Sequence, residues 1–186
     1  MASRLSSAEL RSRLLNDQDD FSITPMPPPT SIGNGTIDLR VGSSFLSSRL
    51  SSIPAVNASD PDEGSQLFQE VRIHPDSYFI MQPRQFVLAS TLEYLALPKD
   101  LSGLIQSRST FGRMGLISAT AAFIAPGYKG CPTLELVNAG EVALKLRPYE
   151  SICQIILSGA EAEEIPVSRY QCLTKPTFAR RPSPTG

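Results

Sequence analysis

The chain has 186 residues, 41% of them hydrophobic, and a formal net charge of −1. That length allows one domain with a true core, and that charge leaves no global cationic footprint for nucleic acid. No apolar run approaches the ~20 residues of a membrane helix, and the charged stretch Met1 to Arg13 lacks a signal peptide's apolar centre, so the expectation is a cytosolic protein with neither membrane nor nucleic-acid partner.

In chain order, Ser6-Ser7-Ala8-Glu9 reads as a capping box. Leu10 and Leu14 follow at helical spacing, which predicts a helix over Ser7 to Asn16. Four prolines in Pro25 to Pro29 forbid a helix or a central strand. Thr36 to Val41 alternates and predicts a strand ending at Gly42. Leu46 to Gly64, rich in Ser, Pro and Asp, reads as a long loop. Strands are expected at Glu70–Ile73, Ser77–Met81, Phe86–Thr91, Leu116–Phe123, Thr133–Val137, Val142–Leu146 and Ser151–Leu157, with a short helix at Ser109–Met114. Many short strands between turn signals indicate a mainly β fold, a sandwich or barrel with one or two short helices. The basic, proline-containing tail from Arg169 is expected to have no secondary structure of its own.

Cys131, Cys153 and Cys172 are odd in number and widely spaced, which fits neither a disulfide framework nor a zinc site. The one histidine, His74, lies between Ile73 and Pro75 with no nucleophile motif nearby, and reads as a surface or strand-end residue. Hydrolytic chemistry would therefore rest on carboxylates, hydroxyls, arginines and backbone. The densest polar stretch, Ser107 to Leu116, holds three hydroxyls, two arginines and two glycines in ten residues. Such a segment suits a polyanion, through N–H and O–H donors and guanidinium forks. It is equally the composition of a polar turn. Glu135 interrupts the apolar strand Thr133 to Asn138 and lies on the face opposite Leu134 and Leu136. On a solvent face it would be ordinary; in a pocket it would have a raised pKa and could act as a general base.

Taken together, S-R-S-x-x-G-R-x-G-L from Ser107, A-A-x-I-x-P-G-Y-x-G from Ala121, T-L-E-L-x-N from Thr133 and L-R-P-x-x-x-I-C-Q from Leu146 resemble the core of the dCTP deaminases, in the trimeric dUTPase superfamily. Gly35 to Gly42, Pro83 to Pro98, and Arg169-Tyr170-Gln171 with Pro176-Thr177 extend the likeness over nearly the whole chain. The resemblance implies a distorted β-barrel or jelly roll over residues 1–168, and a flexible tail over 169–186 that closes over the nucleotide. It implies a homotrimer with active sites between subunits, and zinc-independent hydrolytic deamination of dCTP to dUTP and ammonia. By position, Glu135 falls on the glutamate that shuttles protons between water, N3 and ammonia. Ser109 and the carbonyl of Ala122 fall on the groups holding that water, and Arg113 on the arginine near the carboxylate. Arg108, Ser109, Thr110, Phe111, Gly112 and Arg113, with Ala125, Thr133, Leu134, Glu135, Arg169, Tyr170 and Leu173, fall on nucleotide-binding positions. Magnesium would arrive with the triphosphate, without protein ligands.

The chain departs from the family pattern at four places. Ala125 stands where the family's aspartate meets the sugar and, in dUTPases, the attacking water. Leu173 replaces a glutamine, Arg169 a lysine, and Ala119 the histidine that some relatives carry near the base. A second reading follows from these: an altered paralogue that binds a nucleotide without turnover, or deaminates a different cytosine nucleotide.

Overall fold

A computed structural model describes residues 4–49, 52–57, 59–118, 123–162 and 169–180. The capping box forms: the Ser6 N–H donates to Glu9 Oε2 at 2.7 Å, and the Glu9 N–H donates to Ser6 Oγ at 3.2 Å. Helix α1 (Ser7–Leu14) follows and buries Leu10 and Leu14, ending two residues short of Asn16. A short strand β1 (Ser22–Thr24) and a single 3-10 turn (Pro29–Ser31) carry the chain through the proline segment.

The alternating run at Thr36 becomes β2 (Thr36–Ser48), which runs well past Gly42. The expected loop at Leu46–Gly64 is thus corrected at both ends, since β2 continues to Ser48 and a short helix α2 occupies Pro61–Ser65. The two buried serines suit the strand because their hydroxyls are paired: Ser44 Oγ donates to Glu70, and Ser47 Oγ accepts from Gln85 Nε2 at 2.9 Å. Helix α2 starts where Asp60 caps the Asp62 N–H and Pro61 enters the first turn.

Then come β3 (Phe68–Arg72), β4 (Phe79–Met81), β5 (Phe86–Thr91), β6 (Tyr94–Ala96), β7 (Leu101–Ser107), α3 (Ser109–Gly112), β8 (Leu116–Ser118), β9 (Phe123–Ile124), β10 (Lys129–Gly130), β11 (Thr133–Asn138), β12 (Leu144–Leu146) and β13 (Ser151–Gly159). Of the strand expected over Leu116–Phe123, the described ends pair with different neighbours, β8 with β11 and β9 with β7, and 119–122 lie outside the described residues. Strands β1, β6, β7 and β10 were not expected. Three of them are too short to show alternation. In β7, Gly103 breaks the apolar pattern because Ile155 fills its place; a Cβ there would lie 2.6 Å from Ile155 Cδ1. His74 is exposed beside Asp76.

The main antiparallel sheet runs β8-β11-β5-β2-β13-β7-β9, with β3 added on β2. Strand β2 makes the sheet curl. Its first half pairs with β13, its second half with β5 and β3, and the register shifts between them at Val41/Phe45. A bulge of this kind bends a strand and increases its twist. The result is a mainly β, distorted barrel around one apolar core, with Phe45 stacked on Phe79 at 4.5 Å. No helix among the described residues is long and apolar enough to cross a membrane.

Candidate active site

Strand β11 alternates cleanly. Leu134, Leu136 and Asn138 point into the core, while Thr133, Glu135 and Val137 take the other face. Glu135 stands opposite Leu88 of β5. That face is the floor of a cavity of about 540 Å³ lined by Phe86, Leu88, Thr133 and Glu135, by the hairpin Phe123 to Pro126, and by tail residues from Tyr170 to Ala179. Burial in these mostly apolar walls pushes the Glu135 carboxyl above its ordinary range, and burial is the sole cause. A carboxyl that holds its proton more tightly than usual is able both to accept and to return one.

The tail reaches the cavity by docking on the body of its own subunit. Gln171 clamps the hairpin, accepting the Lys129 N–H at 2.6 Å and donating to the Gly127 carbonyl at 3.1 Å. The Cys172 N–H donates to the Lys129 carbonyl and the Cys131 N–H to the Leu173 carbonyl, each at 2.7 Å. As expected, the described tail forms neither helix nor strand.

Of the residues singled out by sequence, Ala125, Thr133, Glu135, Tyr170 and Leu173 line this cavity. The Leu134 side chain lies in the core, because its parity on β11 is that of Leu136, so only its backbone is available to a ligand. Arg169 stays outside the lining; it donates to the Arg180 carbonyl at 2.6 Å and stands over the Tyr170 ring at 5.7 Å. The Arg108 to Arg113 segment also lies away from the subunit's own cavity. Ser109, Thr110, Gly112 and Arg113 are exposed, and Phe111 packs partly against the core. The Arg108 guanidinium turns back to Asp38 at 3.2 Å and donates to the Ser151 carbonyl at 3.2 Å. Ala119 and Ala122 lie outside the described residues.

Sequence reasoning missed Tyr128, Cys131, Thr177 and Phe178 in the lining. Aromatic residues inside proline-marked loops were the available signal for Tyr128 and Phe178; nothing local marked Cys131. Burial raises the Tyr128 phenol, and holds the Cys131 thiol at about 11. A thiol so raised is not a nucleophile near neutral pH. Among the described residues no group of three or more His, Cys, Asp and Glu side chains is placed to hold a metal ion.

The family model for dCTP deaminase-like proteins matches residues 4–160. The chain belongs to the dCTP deaminase-like family. A dCTP deaminase of Natronomonas pharaonis is 32% identical over 184 residues, covering 95% of this chain and 93% of that protein. A dUMP-forming dCTP deaminase of Methanothermobacter thermautotrophicus is 36% identical over 138 residues, covering 73% of this chain and 70% of that protein. The crystal structure of the 2'-deoxycytidine 5'-triphosphate deaminase of Agrobacterium tumefaciens shares the fold, with a TM-score of 0.64 at 21% identity over 84% of this chain. This chain spans 48% of that one, about half its length. Kinship with nucleotide deaminases places the β11 carboxylate in a family whose named chemistry is deamination of a cytosine nucleotide.

Proposed function

We propose that the protein hydrolytically deaminates dCTP to dUTP and ammonia in the cytosol, without zinc, as a homotrimer with sites between subunits. The observation that carries this reading is Glu135: a half-buried carboxyl on a cavity face, raised by desolvation alone. In this reading the Glu135 carboxylate takes a proton from water while the water oxygen bonds to C4 of the cytosine. The C4–N3 π pair moves to N3, which receives the proton from Glu135. A second proton then passes from the new hydroxyl through Glu135 to the amine. The C4–N bond breaks, ammonia leaves and the carbonyl of uracil forms, so one water is consumed for each ammonia released.

Ser109 and the Ala122 carbonyl would hold the water, and Arg113 would stabilise developing charge. Arg108, Thr110 and Arg169 would meet the phosphates, with magnesium arriving on the triphosphate. Since Ser109 and Arg113 do not line their own subunit's cavity, in the trimer they would serve the cavity of a neighbouring copy. The dUMP-forming reaction named for the Methanothermobacter relative needs a second hydrolysis, at phosphate. Ala125 offers no carboxylate for that water, so the product here would be dUTP.

A second reading is favoured by one feature. Ala125 and Leu173 put apolar surface on the cavity where the family pattern has an aspartate and a glutamine. An altered paralogue would bind a nucleotide without turnover, or deaminate CTP in place of dCTP. The deciding experiment follows ammonia and uracil-nucleotide release from dCTP, CTP and dUTP with magnesium, with Glu135→Gln alongside. Release of dUTP from dCTP, lost in Glu135→Gln, is expected. No turnover of any of the three by a folded trimer would leave the paralogue.

A further inference from the structure

The described tail meets a receptor built by the segment between β2 and β4. Phe178 lies against Phe68 with ring centroids 4.9 Å apart, and Phe68 meets Phe86 of the cavity wall edge-on at 6.2 Å. Gly64 of α2 faces the Cζ–Cε1 edge of the Phe178 ring. A Cβ at Gly64 would stand 2.7 Å from Phe178 Cζ and 2.9 Å from Cε1, distances that no real pair of such atoms keeps. The missing side chain at Gly64 is thus the slot that receives the ring. Glycine costs helix stability in α2 relative to alanine, and the close approach of Phe178 is a reason to keep it. Two further contacts hold the same stretch: Lys175 Nζ lies 3.3 Å from Glu70 Oε1 on β3, and the Thr177 N–H donates to Thr133 Oγ1 at 3.4 Å.

We propose that Phe178 is a positioning residue, and that the Gly64–Phe68 slot is the latch that holds the tail across the cavity above Glu135. The clamp at Gln171 fixes the entry of the tail and the slot fixes its exit, so Leu173 and Thr177 are held on the cavity from both sides. This assignment rests on the reading of the cavity as the nucleotide's site. It goes beyond that reading by giving α2 and β3, which carry no cavity chemistry of their own, a part in nucleotide retention. The latch acts on binding, whereas Glu135 acts on the chemical step.

Gly64→Ala is the sharpest probe, because alanine favours the helix while its methyl displaces the Phe178 ring. Phe178→Ala, Phe178→Leu and the charge reversal Lys175→Glu accompany it. The first readout needs no turnover: trypsin cleavage after Arg169 and Arg180 in the full chain, with and without dCTP and magnesium. Gly64→Ala and Phe178→Ala are expected to speed cleavage about tenfold, the scale of losing one aromatic contact. Phe178→Leu should keep most of the protection, and Lys175→Glu should fall between. The second readout is steady-state deamination. Gly64→Ala and Phe178→Ala should raise KM for dCTP about tenfold with kcat kept, and with Tm unchanged or higher for Gly64→Ala. Unchanged cleavage in both variants overturns the latch. Faster cleavage with unchanged KM, or a fall confined to kcat, overturns its part in retention. If the parent protein turns over no nucleotide, the functional reading fails while cleavage still decides the latch, and dCTP-dependent protection decides whether the tail covers a bound nucleotide.

Discussion

Thr91-Leu92-Glu93 and Thr133-Leu134-Glu135 are the same three residues in two strand regions, and they present opposite faces to the core. In the first, Thr91 and Glu93 point inward. Glu93 is 0% exposed and fully partnered: Oε1 lies 2.6 Å from Arg40 Nε, and Oε2 accepts the Arg40 backbone N–H at 2.8 Å. Thr91 Oγ1 donates to the Glu93 carbonyl, closing the bend between β5 and β6. In the second triplet Leu134 points inward and Glu135 faces the cavity, where burial alone acts on it. Depth of burial therefore does not mark the carboxylate proposed as the base. Glu93 is the deeper of the two, but its pair with Arg40 commits it to holding β2 against the bend. Glu135 is shallower, and desolvation without a partner leaves its proton free to move.

The largest effect expected is on turnover. Glu135→Gln should lower kcat for dCTP by about 10³-fold, within the range for loss of a general acid–base group, measured as ammonia release. Next comes stability. Arg40→Met strands the buried Glu93 carboxylate and should cost about 3 kcal/mol, since breaking a buried pair from one side leaves an uncompensated charge. Urea unfolding measures it, and a cost near zero would mean that Glu93 does not depend on Arg40 for its place in the core. Folded Arg40→Met protein should keep its kcat, which separates the two triplets by role.

A smaller effect should appear with pH. The folded-state pKa of Glu135 is raised, so the native chain holds that proton more tightly than the unfolded chain does. The stabilising contribution is fully present below the ordinary carboxylate range and is lost as pH rises through the raised value. The Tm of Glu135→Gln should therefore match the parent in acid and exceed it at neutral pH. In the parent, kcat/KM should rise with pH along a limb above the ordinary glutamate range, because the base must be ionised. A Tm gap that stays constant with pH would show that burial does not raise this carboxyl.

Strand parity was legible in the sequence for the second triplet only. Glu135 takes the face opposite Leu134 and Leu136, whereas the turn from Thr91 into the three-residue strand β6 left nothing long enough to show on which side Glu93 falls. The capping box, β5, β11 and β13 were legible for the same reason, strong local chemistry or clean alternation. Strand β2 beyond Gly42 was not, because its serines look like loop residues until Glu70 and Gln85 are placed against them. The site was legible in part. The cavity and the Arg108 to Arg113 segment are close in the motif order but lie apart in the subunit, and no local pattern reports which surface a segment faces. Phe178 and Gly64 are 114 positions apart, so the latch exists only in the folded chain.

The finest test of the contrast adds a carboxylate where the family pattern has one. Ala125 and Glu135 line the same cavity, so Ala125→Asp would set a second negative charge within the apolar walls that raise Glu135. Like charges in low-dielectric surroundings oppose each other's ionisation. The acid limb of kcat/KM should move to higher pH with the plateau kept, and high salt should reduce the displacement only weakly, since a sheltered pair is poorly screened. The same substitution should leave the Arg40→Met cost unchanged, because Glu93 lies on the core side of the bend and is neutralised there by Arg40. A limb that does not move would mean that the aspartate turns to solvent and that the two side chains share a wall without sharing a field.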